Sequence, residues 1–159
     1  MQARFYPIAL LLFLGIGLTP IYNIAQPVLV PDYTEITDER LLNPEAHNWL
    51  SYRGTLDGWG FSRLDEIDDS NVQQLEPVWS FSTGVLGGHE APPVVNNGVM
   101  FVTTPGNLVY AIDAASDDLL WRYQHDLPKA YIAFHRTNRG VALYGDKVYT
   151  ATLDARVVA

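Results

Sequence analysis

One short segment of this chain has a counterpart of similar pattern 48 residues further on. Val99-Met100-Phe101-Val102-Thr103-Thr104 aligns with Lys147-Val148-Tyr149-Thr150-Ala151-Thr152. At the same offset of 48 residues Val109 meets Val157 and Ala111 meets Ala159. Trp79, in Pro-Val-Trp-Ser-Phe, and Trp121, in Leu-Leu-Trp-Arg-Tyr, are 42 residues apart. Periods of this length mark stacked units, each too small to bury its apolar face alone. Within the first copy the hydrophobic pattern has period two, which is the period of a half-buried strand. Strands are predicted over Val78–Thr83, Pro93–Val95, Val99–Thr103, Leu108–Asp113 and Leu119–Gln124. Asn96-Asn97-Gly98 and Pro105-Gly106-Asn107 supply the positive φ angles that tight hairpin turns require.

Four short antiparallel strands in succession make one blade of a β-propeller, or part of a sandwich. The first copy runs from Ala111 through a turn into a strand ending at Trp121, whereas the second stops at the matching alanine, Ala159. The expected fold is therefore all-β: one complete blade and part of the next, from the front of a longer propeller. A small sandwich ending at Ala159 is the alternative. Hydrophobic residues make up 48% of the chain, enough for a packed core. The net charge of −8 excludes the clustered basic surface of a general nucleic-acid binder. With no cysteine, the chain has no disulfide framework, cysteine-held zinc or iron–sulfur site, or covalently attached c-type haem.

Residues 1–25 differ sharply from the rest. Arg4 is their only charge, Ile8–Leu18 is uninterruptedly apolar, and Ala25 offers a small residue for cleavage. This three-part pattern predicts a secretory signal peptide. The apolar run would form a helix of roughly 16 Å, too short for a hydrocarbon core about 30 Å thick. An uncleaved anchor is the alternative, and Pro7, Pro20, Pro27 and Pro31 argue against it by breaking a long helix. Cleavage would remove Arg4 and no acid, leaving residues 26–159 with a net charge of −9 outside the cytoplasm and without stable membrane insertion. Further along, Thr37 is expected to cap a short helix through Leu42, stopped by Asn43-Pro44. Asp69-Ser70-Asn71 should cap a single turn ending near Leu75.

Four pieces, in order, resemble the pyrroloquinoline-quinone (PQQ) dependent alcohol dehydrogenases, the methanol/ethanol dehydrogenase family of eight-bladed propellers. They are Asn48-Trp49-Leu50-Ser51-Tyr52-Arg53-Gly54, Asn71 to Gly84 (NVQQLEPVWSFSTG), Gly88-His89-Glu90-Ala91-Pro92-Pro93 and Thr137-Asn138-Arg139-Gly140-Val141-Ala142. The resemblance runs from about Leu42 to Ala159. The family's Ala-x-Asp-x-x-Thr-Gly-x-x-x-Trp repeat stands here as Ala111 to Trp121, with Ser116 for Thr and Asp117 for Gly. Losing that glycine should weaken the turn.

The resemblance implies a periplasmic enzyme that oxidises alcohols by hydride transfer to PQQ, assisted by calcium or a lanthanide ion and passing electrons to a cytochrome c. It places the metal ligands and catalytic aspartate on later blades, so no catalytic or metal-binding residue is named in this chain. Two positions match family cofactor contacts. Arg139 corresponds to the arginine at the quinone oxygens, and a permanently charged guanidinium suits oxygens that gain negative charge on reduction. Glu90 corresponds to a glutamate at the cofactor's edge. PQQ carries three carboxylates, so Glu90 is expected to share a proton with one of them. Many relatives carry adjacent cysteines that stack on PQQ. Ala133 and Phe134 stand at those positions here, and Phe134 is a candidate to cover the same face.

Simpler roles are expected for other tempting residues. His89 reads as a hydrogen-bonded turn residue. Trp49, Trp59, Trp79 and Trp121 read as blade-packing core. His47, His125 and His135 lack the clustered spacing of a metal site. A non-enzymatic propeller of the same repeat family, serving as an envelope assembly scaffold, is the competing function. A truncated product without function is a third. The presence of both Gly-His-Glu and Asn-Arg-Gly favours the enzyme, although the isolated chain is expected to bind neither PQQ nor metal detectably.

Overall fold

The computed structural model describes residues 33–127 and 135–159. The expected signal peptide and the Ala133–Phe134 pair lie outside the described residues.

Strands β1 (Val94–Asn96), β2 (Val99–Thr104), β3 (Leu108–Asp113) and β4 (Leu119–Gln124) form an antiparallel sheet in chain order. This is the complete blade expected from the repeat. Its turns have the predicted chemistry, with Asn97 at φ 47° and Gly98 at φ 76° in one, and Gly106 at φ 86° and Asn107 at φ 64° in the next. Between β3 and β4, Asp117 adopts φ 63° where the family repeat has glycine. A short polar side chain tolerates that region better than most. The turn is also closed by the Asp113 carboxylate, which accepts from the backbone N–H groups of Ala115 and Ser116.

A second antiparallel sheet contains β5 (Ala142–Tyr144), β6 (Lys147–Ala151) and β7 (Val157–Val158). These strands lie at the 48-residue offset from β1, β2 and β3, so the chain folds as a partial propeller. Equivalence extends to single dihedral angles: Asn107 at φ 64° has its counterpart in Ala155 at φ 61°. A left-handed alanine is strained by its Cβ. Replacing Ala155 with Gly is therefore expected to stabilise the chain by about 1 kcal/mol in urea denaturation, and a loss of stability would contradict this.

The core lies between the two sheets. Val94, Phe101, Ala111 and Trp121 stand opposite one another across β1 to β4. The Phe101 and Trp121 rings are 5.9 Å apart, on strands either side of Ala111. Leu143 of the second sheet, with Ile36 and Leu50, completes the buried cluster. Residues 33–50 bind both sheets together. Ile36 exchanges backbone hydrogen bonds with Gly145 at 2.9 and 2.8 Å, and Trp49 does the same with Val95 at 2.9 and 2.8 Å. The intervening helix α1 (Asp38–Leu42) starts at Thr37, whose hydroxyl accepts from the Arg40 N–H as expected. The later single turn is a 3₁₀ helix at Val72–Gln74, and Asn71 makes no side-chain cap to it.

Two expectations are corrected. Val78–Thr83 is not a strand. Its backbone finds no ladder partner among the described residues. The segment is instead held to the first blade by side chains. The Trp79 indole N–H donates to the Ala114 carbonyl at 3.1 Å, Phe81 packs edge-on to Tyr110 at 5.8 Å, and the Tyr110 hydroxyl donates to the Thr83 carbonyl at 3.0 Å. The period of 42 thus paired a strand residue, Trp121, with one outside any described strand. Trp59 is also not core: it is 79% exposed between Gly58 (φ 73°) and Gly60 (φ 67°), a turn that carries it away from both sheets. Trp49 is half-buried and packs against Gly54, where an added Cβ would lie 3.0 Å from the indole.

Candidate cofactor site

Glu90 and Arg139 lie far apart in sequence, yet the structure brings them together. Arg139 Nη2 is 2.9 Å from Glu90 Oε2, with the side chains 72% and 44% exposed. Arg139 sits just before β5, and Glu90 just before β1, so both residues occupy the entries to the first strands of their sheets. Antiparallel strands at equivalent places in neighbouring sheets start at the same end, which is why two distant motifs meet there.

The Glu90 loop is fixed by a short hydrogen-bond relay. His89 Nδ1 is 2.9 Å from the Gly87 carbonyl and its Nε2 is 3.0 Å from the Thr83 hydroxyl. A carbonyl only accepts, so Nδ1 carries a proton. His89 is therefore the hydrogen-bonded turn residue expected. Thr83 Oγ1 also accepts from the Val85 N–H at 3.3 Å. Sequence reasoning missed Thr83. The only available signal was its place four residues before the Gly87-Gly88 pair.

Arg139 is fixed by its neighbours. The Asn138 side chain donates to the Ala151 carbonyl at 3.0 Å and accepts from the Gly140 N–H at 2.8 Å. Gly140 has φ 117°, a conformation that side chains rarely adopt. Beside the pair, an open cleft of about 370 Å³ is lined by Leu86, Gly88, Pro105, Leu108, Arg136 and Thr137 among others. Neither Glu90 nor Arg139 lines it, so the cleft adjoins the pair through Gly88 and Thr137 without containing it.

Chemically, the exposed Arg139 fork keeps donors beyond the one committed to Glu90, which suits the oxygens of a quinone. A lone glutamate would repel a polycarboxylate cofactor, but here a guanidinium already neutralises it. The donor set therefore fits one edge of a PQQ-sized anion. Among the described residues, no three His, Asp or Glu side chains gather closely enough to hold a metal ion. None of the described helices is long and apolar enough to cross a membrane.

The chain thus presents an antiparallel blade whose pattern returns 48 residues later, with the two motifs meeting at one end of the sheets. Residues 49–159 match the sequence profile of the PQQ glucose/ethanol/alcohol dehydrogenase β-propeller domain, and the chain belongs to the PQQ-dependent alcohol dehydrogenase family. It is 37% identical over 154 residues to a quinoprotein ethanol dehydrogenase of Pseudomonas putida, covering 95% of this chain and 24% of that protein. Among solved structures, a quinohemoprotein alcohol dehydrogenase of Pseudomonas putida superposes with a TM-score of 0.71 at 35% identity, over 79% of this chain and 19% of that one. A europium-containing methanol dehydrogenase gives 0.68 at 31% identity, over 76% and 22%. The chain thus spans less than a quarter of the length of each of these relatives.

Proposed function

We propose that the chain supplies one complete blade and part of the next to an exported, periplasmic quinoprotein that oxidises alcohols. The observation that carries this reading is the meeting of Glu90 and Arg139 at 2.9 Å. The two family motifs converge on one small patch, which a pure scaffold would not need. PQQ, when bound, supplies the acceptor for hydride, and the family resemblance implies calcium or a lanthanide ion held by residues outside this chain.

This chain's residues bind and orient. Arg139 offers its guanidinium donors to the quinone oxygens and stabilises the charge that collects there. Glu90 stands at the cofactor's edge and holds Arg139 in place before loading. A cytochrome c is the proposed electron acceptor. Export rests on the three-part pattern of residues 1–25.

In the full-length protein, Arg139→Ala is expected to weaken PQQ binding at least roughly thirtyfold, equivalent to about 2 kcal/mol. Titration of the apo-enzyme with PQQ measures this, and unchanged affinity would remove Arg139 from the site. Glu90→Gln, which removes the charge that holds the Arg139 guanidinium, should weaken PQQ binding roughly three- to tenfold. Unchanged affinity in this variant would take Glu90 out of the site.

A further inference from the structure

We propose that Asn138 is a positioning residue for Arg139, bracing it against the second sheet; this rests on the cofactor-contact reading of Arg139. The Asn138 amide is used at both ends. Its Oδ1 accepts from the N–H of Gly140, which closes the backbone around Arg139, and its Nδ2 donates to the Ala151 carbonyl at the end of β6. The Gly140 N–H can only donate, so the amide orientation is settled by chemistry: oxygen toward Gly140, nitrogen toward Ala151. Aspartate keeps the first bond and loses the second, alanine loses both, and a hydroxyl is too short to span the gap.

A brace needs a fixed anchor, and the turn that follows Ala151 is one. The Thr152 hydroxyl donates to Asp154 Oδ1 at 2.6 Å, His125 Nε2 lies 3.1 Å from Asp154, and Arg156 Nε lies 3.2 Å from it. Asp154 is only 11% exposed, and the Thr152 hydroxyl, with His125 next, holds its carboxyl below the usual aspartate range. The first blade grips the same turn, because Asn107 Oδ1 accepts from the Leu153 N–H at 3.0 Å. Asn107 also takes the His125 N–H on its carbonyl at 3.1 Å, and Gly106 donates to the Arg136 carbonyl at 3.1 Å. Both described ends of the β4–β5 connection are therefore tied to the turns of the two sheets. Asn138 transmits that rigidity to the adjacent Arg139, whose own side chain is mostly in solvent.

The test uses the full chain without cofactor and reads the Arg139 side-chain N–H signals by NMR. In Asn138→Ala the amide spectrum of the two sheets should stay as in the parent. Exchange of the Arg139 side-chain N–H with water should rise roughly three- to tenfold, and coupling to Glu90 should fade. Asn138→Asp, which keeps the Gly140 bond, should fall between the two. Parent-like Arg139 signals in Asn138→Ala overturn the proposal. If that variant fails to fold, Asn138→Asp decides alone: faster Arg139 exchange supports the brace, and unchanged exchange overturns it. A failure here leaves the Arg139→Ala binding result untouched, because no PQQ is present in this measurement.

Discussion

Phe101→Ala is expected to destabilise the chain by about 3–5 kcal/mol, the range for removing a fully buried aromatic ring. Phe101 is 1% exposed and belongs to the inward-facing row Val94–Phe101–Ala111–Trp121, which spans all four strands of the first blade. Its ring meets Trp121 at 5.9 Å and the edge of Tyr33 at 6.5 Å. Through Tyr33 it therefore joins the blade to the 33–50 segment as well as filling the core. Ala111, next to it across β2–β3, is too small to collapse into the vacated space. Urea denaturation followed by tryptophan fluorescence measures the loss. A change under about 1 kcal/mol would show that the row is not the centre of the core.

Arg40→Met, which keeps the apolar stem and removes the charge, should cost about 2–4 kcal/mol. Arg40 is 13% exposed and touches four groups. It donates to the carbonyls of Thr34 and Glu35 at 3.0 Å each, to Asn96 Oδ1 at 3.0 Å and to Glu45 at 2.8 Å. Asn96 is fully buried, and its own Nδ2 donates to the Thr34 carbonyl at 2.8 Å. Methionine would leave Asn96 Oδ1 buried without its donor, a larger loss than the exposed ion pair itself. The pair nevertheless has a pH signature. Hydrogen bonds from Arg40, then Asn48, lower the Glu45 carboxyl from 4.5 to about 2. A depressed folded-state value gives stability that is complete above about pH 4.5 and lost as the pH falls toward 2. Glu45→Gln should flatten this acid limb in stability measurements between those limits. An unchanged limb would assign it to other carboxylates.

The strands were readable because their information is local. Alternation in Val99–Thr104 and Leu108–Asp113 marks one buried face, and Asn97-Gly98 and Gly106-Asn107 mark chain reversal by the φ angles they tolerate. The repeat carried this reading into β6 and β7, where the alternation alone is short. Val78–Thr83 failed for the complementary reason. Its pattern is that of a strand, but a strand also needs a neighbour's N–H and C=O groups, and no local pattern states whether they are within reach. The same limit explains Trp59, whose aromatic ring suggested core while two flanking glycines turn it outward.

The candidate site divides along the same line. The Gly-His-Glu and Asn-Arg-Gly motifs single out Glu90 and Arg139 as residues, and the chemistry of carboxylate and guanidinium follows from their types. Their contact at 2.9 Å does not, because it depends on two sheets stacking in register. Asn138 stands in the Asn-Arg-Gly motif without a role of its own being legible, and His125 reads as a histidine without metal-ligand spacing. Their partners, Ala151 at the end of β6 and Asp154 in the turn after it, lie 13 and 29 residues further along the chain.

By itself, then, the sequence determined the blade: the strands from β1 to β4, the turns between them, and the family to which these residues belong. Only the tertiary structure decided which distant groups meet: Arg40 with Asn96, His125 with Asp154, Asn138 with Ala151, and Arg139 with Glu90. The physical reason is range. Side-chain alternation and backbone dihedral preferences act over a few residues, whereas ion pairs and side-chain hydrogen bonds need positions set to within about 0.5 Å, which only the packing of one sheet on another supplies.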